Sequence, residues 1–118
     1  MARRPKCHQL KKDANSNNWP EMLIFYCQQA SMESIQMARQ INEVCLRLVA
    51  IITERGRFIE ELETVGNIYA QKMAEHLKEV QVKDDQKVED MVTLVHELDL
   101  NARGMDVFVL KVKGVVDL

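Results

Sequence analysis

Residues 37–69 read MARQINEVCLRLVAIITERGRFIEELETVGNIY, and ten positions in them fall at alternating spacings of four and three. These are Met37, Ile41, Val44, Leu48, Ile51, Arg55, Phe58, Leu62, Val65 and Tyr69, nine of them apolar. A 4,3 repeat averages 3.5 residues, close to the 3.6 of an α-helix, so these side chains share one stripe of a helix surface. Such a stripe has to be covered by another helix. A second set repeats at seven, Ala38, Cys45, Ile52 and Ile59, each just after a member of the first. It widens the stripe from two positions to three, which suits a bundle better than a simple two-stranded coil. On this reading an Ile51→Asp change dissociates the assembly.

C-terminal to this stretch the phase is less regular. Met73, Leu77 and Val80 follow Tyr69 at 4, 4 and 3, a stutter that rotates the stripe. Gly56 and Gly66 each cost about 1 kcal/mol against Ala in a helix and mark either close helix approach or a bend. Residues 83–87, KDDQK, contain no apolar side chain, and Asp84 or Asp85 there could cap a new helix. A turn at that point makes an αα-hairpin; without one the chain is a continuous rod. From Val88 the 3,4 spacing returns through Met91, Val95, Leu98, Ala102, Met105, Val109, Val112 and Val116, a second seam. Residues 107–116 are rich in β-branched side chains and follow an Arg103-Gly104 pair that resembles a helix C-cap. Helix is favoured over strand there, because the rest of the chain offers no partner strand. The apolar ending leaves this seam unfinished, as in a fragment or isoform of something longer, or in a chain whose end a partner covers.

Towards the N-terminus, Ser31 is a candidate N-cap with Glu33 in the first turn after it, so the main helix starts or restarts there. Pro20 suits the first turn of a preceding helix. The run Met22 to Cys27 is apolar on all sides and folds back onto the main stripe or docks on a partner. Residues 1–18 carry Arg3, Arg4, Lys6, Lys11 and Lys12 against one acid, Asp13, and read as a disordered basic arm. The same five charges could serve nuclear import, phosphate contact or targeting. The chain thus divides into an arm at 1–18, a short helix or docking segment at 19–30, and a helical region at 31–118 with a possible break at 83–87.

Composition agrees. Aromatics are 5% of the 118 residues, with four glycines and two prolines, too few turn formers for a sandwich or barrel. Charged residues are 29% and nearly balanced, for a net charge of −2, so the chain as a whole does not attract nucleic acid or an anionic membrane. The longest apolar run is six residues, against the ~20 that span a bilayer, and it is too short for a signal-peptide core. Three unpaired cysteines, Cys7, Cys27 and Cys45, point to free thiols in a reducing compartment, cytoplasm or nucleus. Cys27 and Cys45 lie on apolar stretches and read as small buried hydrophobes.

Catalytic chemistry is not legible. HExxH, GxGxxG and GxxxxGK motifs are absent, and His8, His76 and His96 form no pattern with Cys, Asp or Glu at metal-ligand spacing. No cofactor or small-molecule substrate is expected. Arg55 is the sharpest single feature: its guanidinium either snorkels to solvent beside Glu54 or a partner's acid, or stands in the seam and fixes register. Arg39–Glu43, Glu43–Arg47, Arg57–Glu61 and Glu79–Lys83 are spaced for i,i+4 pairs on the outer face. The expectation is an all-α, non-enzymatic coiled-coil interaction or scaffolding module, self-associating or part of a larger helical assembly. The alternative is a nucleic-acid-binding or chromatin-associated factor in which the basic arm touches phosphates and the helices dimerise.

Overall fold

The structure, a computed structural model, describes residues 18–116. They form two α-helices, α1 (Trp19–Val65, 47 residues) and α2 (Ile68–Val116, 49 residues), joined by a tight turn at Gly66 and Asn67. The all-α class and the paired amphipathic helices are as the spacing indicates. The expected basic arm lies outside the described residues, apart from Asn18, whose carbonyl accepts the Met22 N–H at the start of α1.

The turn is built by two adjacent residues. Gly66 takes a φ of 76°, the left-handed conformation that ends helices and that a Cβ disfavours. Asn67 then caps α2: its Oδ1 accepts the Ala70 N–H at 2.9 Å and its carbonyl accepts the Gln71 N–H at 3.1 Å. This turn replaces the break considered at 83–87, where α2 is uninterrupted. A single polar pentapeptide is no obstacle to a helix when one of its members, Asp84, is taken up by the facing helix. Ser31 is likewise not a cap but a buried residue within α1, and 19–30 is the first part of that helix rather than a separate element. Residues 107–116 are helical; their β-branched side chains lower helix propensity by only tenths of a kcal/mol each, which packing overrides.

The chain divides into two compact units, residues 39–95 and a second formed by the N-terminal part through Ala38 together with residues 96 onward. The 39–95 unit is an antiparallel αα-hairpin around the turn. Its α1 strip is Ile41, Cys45, Leu48, Ile52, Arg55, Ile59 and Leu62, and its α2 strip is Ala70, Ala74, Leu77, Gln81, Asp84, Val88, Met91 and Val95, all buried or half-buried. Both strips keep the 4,3 count without a stutter. Written as heptads abcdefg, Cys45, Ile52 and Ile59 occupy a and Ile41, Leu48, Arg55 and Leu62 occupy d; on α2, Ala74 and Gln81 are a and Leu77 and Asp84 are d. In the other unit Cys27, Ser31, Ser34 and Ala38 are the corresponding α1 positions, and Leu98, Ala102, Met105, Val109 and Val112 those of α2. Small residues are the most covered there and near the turn, with Ala74 and Ala102 each 2% exposed. Cys27 and Cys45 are buried free thiols, and burial pushes the Cys27 thiol above its ordinary pKa.

Candidate interaction surface

The ten-position stripe read from the sequence divides into two faces. Ile41, Leu48, Arg55 and Leu62 turn towards α2, whereas Met37, Val44, Ile51, Phe58, Val65 and Tyr69 are exposed. The place beside the d residues is taken by the set that repeats at seven, Ala38, Cys45, Ile52 and Ile59, so the seam is a/d and the exposed row from Met37 to Val65 is g. On α2, Val88, Met91, Val95, Leu98 and Met105 are half-buried and Ala102, Val109 and Val112 buried, with Val116 left exposed at the end.

The a/d seam of the 39–95 unit contains one polar layer. Arg55 extends from α1 and one of its guanidinium nitrogens donates both to Asp84 Oδ2, at 2.5 Å, and to Gln81 Oε1, at 3.0 Å. Gln81 Nε2 donates in turn to the Ile52 carbonyl at 2.9 Å, and Lys87 Nζ donates to Asp84 Oδ1 at 3.3 Å. Each polar group of the layer therefore has a partner, and among the described residues no fully buried side-chain N or O lacks one. The Arg55 guanidinium beside Asp84 is the main reason that its carboxyl titrates below the usual aspartate range, with Lys87 adding to the effect against some desolvation. The Asp84 side chain is covered by its neighbours, yet in a layer only two helices thick water is one side chain away. The acid that Arg55 meets is thus on the facing helix of the same chain, rather than Glu54. Sliding α2 by one heptad would set Arg55 among Leu77 and Ala74 or Val88 and Met91, so this layer specifies the alignment of the two helices.

The two long sides of this hairpin differ. On the e side Glu63 and Lys78 form an ion pair at 2.6 Å, and the same rows hold Asn42, Gly56, Gln71 and Asp85 with two exposed valines, Val49 and Val92. On the g side α1 presents Val44, Ile51, Phe58 and Val65, and α2 presents Met73, Val80, Lys87 and Leu94. Val44 and Leu94, with Ile41, Met91 and Gln40, line an open groove of about 320 Å³, which shows that the two g rows share one side. Seven of those eight g positions are apolar, and Phe58 is 48% exposed. The eighth, Lys87, turns its ammonium towards Asp84. A two-stranded coil that works alone carries charges at e and g; this one carries them chiefly on one side.

Ion pairs elsewhere are few and none of the four i,i+4 pairs read from the sequence closes. Besides Arg55–Asp84, Lys87–Asp84 and Lys78–Glu63, the described residues hold Arg103–Asp99 at 2.9 Å. Exposed long side chains gain little from pairing and keep their hydration instead. No group of three or more His, Cys, Asp or Glu among the described residues is placed to hold a metal ion, and His76 and His96 are exposed on α2. No helix among those residues is long and apolar enough to cross a membrane. Arg3, Arg4, Lys6, Lys11 and Lys12 lie outside the described residues. Comparison of the chain with protein-family models, curated proteins and solved structures found no match.

Proposed function

We propose that the chain is a non-enzymatic helical interaction module, which brings proteins together by burying its own exposed apolar face against another helical surface. The observation that carries this is the g side of the 39–95 hairpin, where Val44, Ile51, Phe58 and Val65 are each about half exposed although the seam beside them is already closed. Contiguous apolar surface of this kind is uncommon on proteins that act alone, and its removal from water supplies ~25 cal/mol per Å² of association free energy before the costs of ordering. The polar layer at Arg55 supports the same role, since it keeps the two helices in one alignment and so keeps that face continuous. Buried free thiols at Cys27 and Cys45 suit a reducing compartment, cytoplasm or nucleus.

A photo-crosslinking amino acid placed at Phe58 in the full chain tests this in cells. Covalent adducts to protein are expected there and not from the same group at Arg57, which is adjacent in sequence but lies on the outer face. Equal or absent yields from both positions would remove the g side as an interaction surface.

A further inference from the structure

We infer that the g side of the 39–95 hairpin is a self-recognition surface, whose occupant is the same face of a second copy of this chain. This rests on the interaction-module reading and names its partner. Outside the g row on α1 the c positions midway along the hairpin are Arg47 and Glu54, between Gln40 and Glu61, and outside the g row on α2 they are Lys83 and Asp90, with His76 and Tyr69 nearer the turn. Among the described residues Arg47, Glu54 and Lys83 have no ion-pair partner, and Asp90 only accepts a hydrogen bond from Gln86. The alignment that sets Arg55 against Asp84 sets Glu54 level with Lys83 and Arg47 level with Asp90 across the width of the face.

Each rim therefore carries both signs, in opposite order. A partner of one charge would meet repulsion at half of these four positions. A twofold axis in the plane of the face meets none. If the axis runs across the helices, Glu54 faces Arg47 of the second copy and Lys83 faces its Asp90. If it runs along them, Glu54 faces Lys83 of the second copy and Arg47 faces its Asp90. Self-complementarity under a twofold axis is what an isologous dimer requires, and charge pairing at the rim selects the partner more than it adds affinity.

The area is also sufficient. Residues 39–65 of α1 rise about 40 Å at 1.5 Å per residue, and two helices packed 8–10 Å apart present a face about 18 Å wide. That gives on the order of 700 Å² per copy, or about 1,400 Å² for the pair, within the range of stable specific interfaces. Two hairpins joined in this way make a four-helix core in which g positions of both copies become interior, as the three-position stripe requires.

Sedimentation equilibrium of the full chain over a range of concentrations reads this directly. The expected mass is twice 13.7 kDa, falling to one chain in Phe58→Asp and Ile51→Asp with the helical circular dichroism kept. The exposed rim gives variants that cannot disturb the hairpin. Glu54→Lys should raise the dissociation constant about fivefold or more, and adding either Arg47→Glu or Lys83→Glu should restore it, the rescuing position identifying the direction of the axis. A wild-type mass of 13.7 kDa at every concentration overturns the inference, as does an oligomer that survives both Phe58→Asp and Glu54→Lys. Monomeric mass combined with protein adducts at Phe58 in cells would leave the interaction reading in place and remove only self-association.

Discussion

Ile59→Asp is expected to unfold or nearly unfold the hairpin, whereas Phe58→Asp, one residue earlier, is expected to leave it folded. Ile59 is 7% exposed at an a position and packs between the helices, while Phe58 is 48% exposed on the g side. Removing a buried isoleucine costs about 2–5 kcal/mol by itself. The carboxylate put in its place adds a desolvation cost, and the nearest cation, Arg55 one turn away, is already held by Asp84 and Gln81. Against the 5–15 kcal/mol that stabilises typical domains this is a large share, and melting should fall by more than about 10 °C. Thermal melts followed by circular dichroism, at the lowest concentration the signal allows so that association contributes nothing, give the comparison. Equal losses in the two variants would mean that the seam is not a/d as described.

The second large effect concerns the polar layer. Arg55→Leu leaves the Asp84 carboxylate facing a leucine with only Lys87 beside it, and Asp84→Leu leaves the guanidinium with only Gln81. Each single change should lower the melting temperature by several degrees. The double variant Arg55→Leu/Asp84→Leu removes both charges together and should recover most or all of the loss, because apolar replacement of a covered ion pair is often neutral or stabilising while removal of one partner is not. A double variant no more stable than the worse single would contradict this.

Acid should weaken the wild type through the same group. The carboxyl of Asp84 is held below its unfolded value, near 3.9, so over that interval the unfolded chain binds a proton that the folded chain refuses, and stability rises with pH. The contribution is whole above the unfolded value and is lost as pH falls through the folded one. Urea unfolding across this acid range should show a shallower pH dependence in Arg55→Leu than in the wild type.

The helix class and the second seam were legible because Val88 to Val112 fill every a and d position with an apolar residue, whereas Lys87 and Asn101 break the g row. The first seam was less so, for a physical reason. Between Met37 and Val65 of α1 the a, d and g positions are all apolar but Arg55, and d with g alternate by three and four just as a with d do. Periodicity cannot choose between them; size does. Cys45 and Ala38 fit between two close helices, and the larger Phe58 and Met37 are left outside. In α2 the inner strip from Ala70 to Asp84 was hidden, since alanine is weakly hydrophobic and Gln81 and Asp84 look like surface until Arg55 is placed opposite. The turn was masked by Val65, Ile68 and Tyr69, exposed apolar residues that prolong the appearance of a stripe across Gly66 and Asn67. The local signal, a glycine followed by an asparagine able to cap, stands at 66–67, but the polar run at 83–87 with its two aspartates presents the same kind of signal.

The tight turn also decides how the hairpin comes together. With only Gly66 and Asn67 between the helices, the pairs nearest the turn close short loops, Arg55 reaches Asp84 over a separation of 29 residues, and Ser31 reaches Ala102 only over 71. Loop-closure entropy grows with that separation, and helix growth is far faster than diffusion of distant segments. The chain therefore zips from the bend outwards, with the ion-paired layer as a checkpoint that a misaligned zipper cannot pass cheaply. Amide exchange should be slowest between the bend and that layer, and the chain ends, where the longest-range contacts lie, open first.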